Sequence, residues 1–213
     1  MINNILSNKK KLIIIVGILI GMVLLIIFIL NFDGNDNRNA YNFKKDYESL
    51  NGKDLGNGNM YPEVNISENN KMRYVSYDEV FDVLDNNGNA VIYIGYSKCL
   101  YCRTAAQVLT DTAKDMNIDE ILYLDVEVKG SDGYGRLVDT FKDNFFVGGL
   151  SQDKFYVPSV LFVVNGSVVS SNKGTLDSHK SPYDILDQSQ IDGLSSIYRR
   201  GINDVIFAKN GSL

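Results

Sequence analysis

Two cysteines are the residues of this chain whose type and spacing could do chemistry. They are the only cysteines in 213 residues, and they stand three positions apart, as Cys99 and Cys102. Thiols at this spacing can exchange with disulfides, and the thiolate is the attacking form. There are three alternatives to this chemistry. The pair could be half of a zinc site, two inert thiols in the core, or a purely structural disulfide. A four-ligand zinc site would need a second pair, whereas the one histidine, His179, lies in a polar loop, so the spacing favours redox chemistry without a metal or organic cofactor.

The residues around the two cysteines predict that they lie where a strand passes into a helix. The run Ala90 to Tyr96 is continuously apolar, as in a central strand covered on both faces, and Arg103 to Met116 carries an apolar stripe at helical spacing. A helix N-terminus offers unpaired N–H groups and the positive end of the helix dipole, which favour a thiolate. We therefore expect Cys99 to be the nucleophile and Cys102, one turn inside the helix, to be the more buried resolving thiol.

Charge is distributed unevenly around the pair and along the chain. Lys98 and Arg103 flank the cysteines and are expected to lower the first pKa further, although solvent would weaken their effect. Three of the 21 basic residues precede residue 12 and all 26 acidic residues follow residue 32, so residues 31–213 carry a net charge of −8. This acidity argues against a nucleic-acid partner, which requires a basic surface.

Strand and helix signals alternate from residue 72 onward, which predicts an α/β domain. Ser76 and Glu79 form a capping box, which marks the start of a helix. Pro158 leads directly into an apolar run, Ser159 to Val164, and Asn165-Gly166 after it is a strong hairpin signal. The remaining expected elements are strands at Met72 to Val75 and Ile121 to Val128, and helices at Arg136 to Phe146 and Ile191 to Ile206.

This order of elements resembles the thioredoxin-like superfamily. The segments KCLYCRTAAQVL, EILYLDVE and VPSVLFVVNGSV are similar to small Gram-positive members of that family, including those called bacteriocin transport accessory proteins. The resemblance covers about residues 72–206 and implies a central mixed sheet flanked by helices, with Cys99 and Cys102 as the redox pair. It also implies that Pro158 is a cis-proline packed against them, and that Val157 offers backbone hydrogen bonds to a substrate strand.

The chain departs from the thioredoxin pattern at several positions beside the cysteines. Leu100 and Tyr101 replace Gly-Pro between the cysteines, and with Val157 and Pro158 they complete the candidate substrate-binding residues. The buried aspartate that takes the proton of the resolving thiol in thioredoxins is replaced by Tyr93. Its loss is expected to slow deprotonation of the second cysteine unless water or another acid substitutes for it. Additional segments near 142–156 and 175–188 are either surface decoration or a rim that narrows substrate choice.

The N-terminal part of the chain predicts a membrane anchor followed by a linker. Residues 12–30 contain no polar side chain and would span roughly 28 Å as a helix. Lys9 to Lys11 precede this segment, so the positive-inside rule predicts a cytoplasmic N-terminus and an extracellular C-terminal domain. The expected organisation is a cytoplasmic N-terminus (1–11), a transmembrane helix (12–30), an asparagine-rich tether (31–71) interrupted by a short docking helix near 43–50, a thioredoxin-like domain (72–206) and a tail (207–213).

Taken together, these observations predict a membrane-anchored thiol–disulfide oxidoreductase that acts on protein thiols or disulfides outside the cytoplasm. Turnover would require a separate membrane redox partner, and both directions, oxidation and reduction, remain open. The competing hypothesis is a thioredoxin-like binding or accessory module in peptide secretion or assembly, in which the cysteines are dispensable.

Overall fold

The computed structural model describes residues 16–23, 38–127, 132–145 and 155–211. The chain divides into two units, Met1–Arg38 and Asn39–Leu213. In the first unit, residues 16–23 are helical and their side chains are exposed. No helix within the described ranges is long and apolar enough to cross a membrane. The rest of the predicted transmembrane segment, 12–30, lies outside those ranges.

A mixed five-stranded sheet forms the centre of the second unit, with the strand order β1-β3-β2-β4-β5. Strand β2 lies in the middle, parallel to β3 and antiparallel to β4, while β1 is parallel to β3 and β5 is antiparallel to β4. All side chains of β2 and β4 are buried, which explains why their sequences are continuously apolar. The strands are β1 (Met72–Tyr74), β2 (Ala90–Gly95), β3 (Ile121–Asp125), β4 (Ser159–Val164) and β5 (Ser167–Lys173).

Helices cover both faces of this sheet and create two hydrophobic cores. The described helices are α1 (38–48), α2 (Tyr77–Asp85), α3 (Leu100–Asp115), α4 (Asp132–Phe145) and α5 (Gln188–Lys209). Alternate residues of β2 enter opposite cores: Val91 and Tyr93 pack with α1, α3 and α5, whereas Ile92 and Ile94 pack with α2 and α4. This strand order, with a parallel half, an antiparallel half and helices on both faces, is the thioredoxin-like α/β fold, as the sequence predicted.

Local signals located most elements to within a few residues. The capping box at Ser76 is present at the start of α2, and both residues of the Asn165-Gly166 turn have positive φ angles, 49° and 72°, as a tight hairpin requires. Strand β3 ends at Asp125 rather than Val128, and α3 begins at Leu100, earlier than the apolar stripe indicated. Helix α5 extends to Lys209, so part of the predicted C-terminal tail is helical.

Residues 31–71 were predicted to form a tether. For residues 39–70 this prediction is wrong, because they belong to the folded unit. The docking helix expected near 43–50 is present as α1, and Phe43 and Tyr47 on it are completely buried. Val64 and Ile66, farther along the same segment, also enter the core. A few well-spaced apolar side chains are enough to dock a segment whose average composition is polar, which is why composition alone misassigned it.

Five aromatic side chains on α1 and the sheet form what we call the aromatic cluster. The ring of Tyr93 stacks on that of Tyr123 with centroids 5.6 Å apart, and Phe43 stacks on Tyr47 with centroids 4.4 Å apart. Edge-to-face contacts join the two stacks and add Tyr74, whose ring centroid is 4.9 Å from that of Tyr123. The cluster packs α1 against β2 and β3, and β2 is the strand that leads to Cys99.

Candidate active site

The two cysteines lie at the start of α3, at the carboxyl end of the central strand β2. Cys99 is the N-cap residue, and its sulfur accepts the backbone N–H of Cys102 at 3.3 Å. Its side chain is partly exposed, whereas that of Cys102 is completely buried, and both are free thiols. The predicted difference in exposure is therefore present: one thiol can meet a substrate and the other lies behind it.

The environments of the two thiols shift their pKa values in opposite directions. A hydrogen bond from the Cys102 thiol is the main cause of a lowered pKa at Cys99, and the backbone N–H groups of Cys102 and Tyr101 lower it further, against the effect of burial. Burial raises the pKa of Cys102 well above the ordinary thiol value, and its contact with Cys99 adds to the rise. The thiolate therefore forms first on Cys99, as expected for an attacking nucleophile.

The two basic residues that flank the pair play other roles than the sequence suggested. Lys98 is exposed and forms a salt bridge with Glu127. Arg103 is completely buried, and its guanidinium donates to carbonyl oxygens of Tyr47 at 2.7 Å and Pro62 at 2.9 Å. Neither residue is among the causes of the lowered Cys99 pKa. The expectation that they lower it is wrong, because Lys98 points to Glu127 and Arg103 is engaged with the N-terminal segment.

The buried guanidinium connects the N-terminal segment to the loop that carries the nucleophile. In addition to the two carbonyl bonds, Arg103 donates to Asn51 Oδ1 at 2.6 Å and to the Ser97 carbonyl at 3.2 Å. Ser97 lies two residues before Cys99. The Arg103 side chain therefore joins the loop before the nucleophile to residues 47–62. No local pattern indicates this role, since a charged residue in the first turn of a helix is ordinarily exposed.

Pro158 comes directly before β4, whose neighbour β2 leads to the cysteines. Ile94 on β2 pairs with Ser159 on β4, so continuing the antiparallel ladder by one residue sets Gly95 opposite Pro158. A Cβ at Gly95 would lie 3.2 Å from the Cys102 sulfur, which shows how close this strand end is to the buried thiol. The Val157–Pro158 peptide bond is cis, as the resemblance implied. Val157 is partly buried and packs against the α2 and α4 core.

The two residues between the cysteines are both partly exposed beside the nucleophile, and one of them is held by a distant loop. Tyr101 donates its hydroxyl to the Lys180 carbonyl at 3.4 Å and packs edge-on against His179, with ring centroids 5.3 Å apart. Part of the additional segment near 175–188 therefore forms a wall beside Leu100 and Tyr101. The other additional segment, near 142–156, lies largely outside the described ranges.

His179 is a structural residue of that wall. It is buried, and its two ring nitrogens lie 2.9 Å from the Thr175 hydroxyl and 2.9 Å from the Asp184 carbonyl oxygen. Within the described ranges, no group of three or more histidine, cysteine or acidic side chains could hold a metal ion.

Comparisons with known proteins gave similarities only among solved structures. No family model matches this chain, and no protein of curated function matches it. Thioredoxin O2 from Arabidopsis thaliana, in its oxidized state, is 16% identical, with a TM-score of 0.38, over 62% of this chain and 94% of that chain. Thioredoxin O1 from the same plant, also oxidized, is 16% identical, with a TM-score of 0.36, over 61% of this chain and 99% of that chain. The fold assignment stands on the strand order and connections described above.

Proposed function

We propose that this chain is a thiol–disulfide oxidoreductase that acts on protein substrates through Cys99 and Cys102. The observation that carries the proposal is the difference between two thiols only three residues apart. One is a partly exposed N-cap with a lowered pKa, and the other is buried with a raised pKa. An inert pair in a core would not need one sulfur exposed at a helix N-terminus.

The proposed reaction is a two-step disulfide exchange. The Cys99 thiolate attacks one sulfur of a substrate disulfide, so the substrate S–S bond breaks, a mixed disulfide forms and the other substrate sulfur leaves as a thiolate. Cys102 then attacks the Cys99 sulfur, which forms the Cys99–Cys102 disulfide and releases the second substrate sulfur. The substrate gains the two electrons that the pair loses, and the reverse sequence oxidises a substrate dithiol.

The substrate would lie across the exposed end of this site. Leu100 and Tyr101 are partly exposed beside the nucleophile, and Val157 lies just before β4, where a backbone can pair with an extended segment. The wall formed by residues 175–187 bounds the site on the side of Tyr101. We propose that Val157, Pro158, Leu100 and Tyr101 contact substrate, and that the wall restricts which polypeptides can approach.

We further propose that the chain is anchored in a cell membrane by residues 12–30, with its N-terminus cytoplasmic and its C-terminal domain extracellular. The support is the apolar sequence of this segment and the three lysines before it. In this location a membrane redox partner would restore the pair after each turnover. The similarity of three segments to Gram-positive bacteriocin transport accessory proteins makes secreted peptides and proteins the proposed substrates.

Trapping of the mixed disulfide tests the redox proposal. With Cys102→Ser, the second step is blocked, so a covalent adduct with substrate proteins should accumulate on non-reducing gels after acid quenching. The double variant Cys99→Ser/Cys102→Ser is the control and should give no adduct. If Cys102→Ser traps nothing and Cys99→Ser leaves the cellular function intact, the protein is instead the binding or accessory module in which the cysteines are dispensable.

Two further measurements determine direction and location. A reduction potential near or above about −150 mV would indicate an oxidase, and one near −270 mV a reductase. For location, Asp78→Cys at an exposed site and Ser7→Cys near the N-terminus can be compared in the cysteine-free background. An impermeant maleimide should label Asp78→Cys in intact cells and Ser7→Cys only after lysis; the opposite pattern would overturn the proposed orientation.

A further inference from the structure

The resolving step requires negative charge on a completely buried sulfur. Cys102 has no exposed surface, and a buried thiolate is costly unless donors stabilise it. Within the described ranges, the groups that act on its pKa through hydrogen bonding are the Cys99 thiol, which raises it, and the backbone of Tyr96 and the side chain of Tyr93, which lower it. None of these is a carboxylate, the group that thioredoxins have at the position of Tyr93.

The hydroxyl of Tyr93 is directed at Cys102. It donates to the Cys102 carbonyl oxygen at 2.8 Å. A Cβ built on Gly95 would lie 3.0 Å from this hydroxyl and 3.2 Å from the Cys102 sulfur, so both atoms occupy the same small space beside the end of β2. Because a hydroxyl proton can rotate about its C–O bond, we take this hydroxyl as the candidate donor to the sulfur of the same residue.

The surrounding aromatic cluster holds this hydroxyl in place. Tyr93 is completely buried, stacked on Tyr123, and edge-on to Phe43 with ring centroids 6.5 Å apart. The Tyr47 hydroxyl lies 3.3 Å from that of Tyr93 and can donate to it. The Tyr93 oxygen then accepts a hydrogen bond from Tyr47, and its own proton is available to donate to Cys102.

From this geometry we propose that Tyr93 is a catalytic residue of the resolving step, in which its hydroxyl donates a hydrogen bond to the Cys102 sulfur as negative charge forms there. The inference rests on the proposed redox function. Tyr93 keeps its proton throughout. Cys102 loses a proton and attacks the Cys99 sulfur, the bond from Cys99 to the substrate sulfur breaks, and the released substrate thiolate takes up one proton, so protons and electrons balance.

The protonation state of Tyr93 is consistent with this role. Burial raises the pKa of Tyr93 well above its ordinary value, and the nearby Cys102 raises it further. The hydroxyl therefore remains a donor at pH values at which an ordinary tyrosine would begin to ionise. A donor can stabilise a thiolate but cannot remove its proton, which distinguishes this tyrosine from a carboxylate that acts as a base.

A two-phase assay on the whole reduced chain in detergent tests the proposal. One equivalent of the aromatic disulfide DTNB reacts first with Cys99 and releases one thionitrobenzoate anion. Attack by Cys102 on the resulting mixed disulfide then releases a second anion, so the second phase reports the resolving step alone. With Tyr93→Phe, the first phase should be unchanged. The second should slow by about tenfold or more, as expected for loss of one hydrogen bond to a charged group, and its pH midpoint should rise.

Tyr74→Phe is the matched control, because it removes a hydroxyl from a ring of the same aromatic cluster that donates to Asp46 instead of Cys102. It should leave both phases and their midpoints unchanged. If Tyr93→Phe resolves at the wild-type rate and midpoint, or if both variants slow the second phase equally, the proposed role of Tyr93 is wrong.

Two other outcomes remain interpretable. If the wild type itself releases only one anion, the redox proposal fails, and this result is distinct from failure of the tyrosine inference. If Tyr93→Phe does not fold, as judged by circular dichroism, Tyr47→Phe serves instead, because it leaves Tyr93 in place and removes the donor behind it. A slower second phase with unchanged first phase would support the proposal, and an unchanged second phase would overturn it.

Discussion

Replacement of Arg103 by methionine should destabilise the protein far more than loss of an ordinary surface charge. The side chain is completely buried, and within the described ranges it has no carboxylate partner closer than 4 Å. Methionine fills much of the volume of the aliphatic stem but donates no hydrogen bond. The carbonyl oxygens of Tyr47 and Pro62, at 2.7 and 2.9 Å from the guanidinium, would lose this donor.

The magnitude follows from which acceptors are left without a donor. Asn51 Oδ1 still accepts the backbone N–H of Val64 at 3.0 Å, and the Tyr47 carbonyl still accepts that of Leu50 at 3.3 Å. The Pro62 carbonyl, at 2.9 Å, and the partly buried Ser97 carbonyl, at 3.2 Å, are the acceptors that depend on the guanidinium. Two such acceptors at about 1 to 3 kcal/mol each, offset in part by relief of the desolvation of the guanidinium, give a net loss of about 2 kcal/mol. Most domains are stable by only about 5 to 15 kcal/mol, so the loss is measurable but tolerable.

Equilibrium unfolding in urea, followed by tyrosine fluorescence under reducing conditions, measures this loss. Arg73→Met is the matched control, because Arg73 is partly exposed and pairs with Glu79 and Glu120 at the surface. Its loss should cost about 0 to 1 kcal/mol. Equal losses for the two variants, or a loss below about 1 kcal/mol for Arg103→Met, would refute the argument that buried carbonyls depend on this guanidinium.

The remaining predictions concern helix packing, thiol reactivity and alkaline stability. Gly201→Ala should destabilise the protein by about 1 to 3 kcal/mol, because the new Cβ would lie 2.2 Å from the Phe162 ring. Gly135→Ala, with nothing within 4 Å, should instead be stabilising or neutral in the same unfolding assay, and a stabilising Gly201→Ala would contradict the packing. Iodoacetamide should alkylate Cys99 with a pH midpoint below the ordinary thiol value of about 8.5, since a lowered pKa moves thiolate formation to lower pH, while Cys102 stays unlabelled until the protein unfolds; equal labelling would count against this. The raised pKa values of the buried tyrosines in the aromatic cluster favour the folded state below about pH 10 and cease to do so above it, so their ionisation, measured by tyrosinate absorbance, should coincide with alkaline unfolding rather than precede it.

Much of the candidate site could be predicted because it depends on short stretches of sequence. The N-cap position of Cys99 follows from a buried strand joined to a helix, and the hairpin at Asn165-Gly166 follows from two residues that tolerate positive φ. The strand order also brings the start of β4, which follows Pro158, beside the end of β2, which leads to the cysteines.

The polar contacts of the site could not be predicted in the same way. Arg103 was expected to be a surface charge beside the nucleophile, yet three of its four partners lie 41 to 56 residues earlier in the chain. Tyr93 was interpreted as a missing carboxylate, and only the position of its hydroxyl beside Cys102 indicates a donor in that place. His179 lies in a loop, as expected, but nothing in the sequence indicated that it is buried there, edge-on to Tyr101.

The sequence by itself determined the α/β class, the order of elements from residue 72, and the place of the two thiols between a buried strand and a helix. These features depend on periodicity, capping and turn residues, which act over a few neighbouring positions. Tertiary structure decided that residues 39–70 belong to the folded unit, that Arg103 is buried, and that the Tyr93 hydroxyl reaches Cys102. Such contacts join residues far apart in sequence, and whether a polar side chain is buried depends on partners that no local pattern contains.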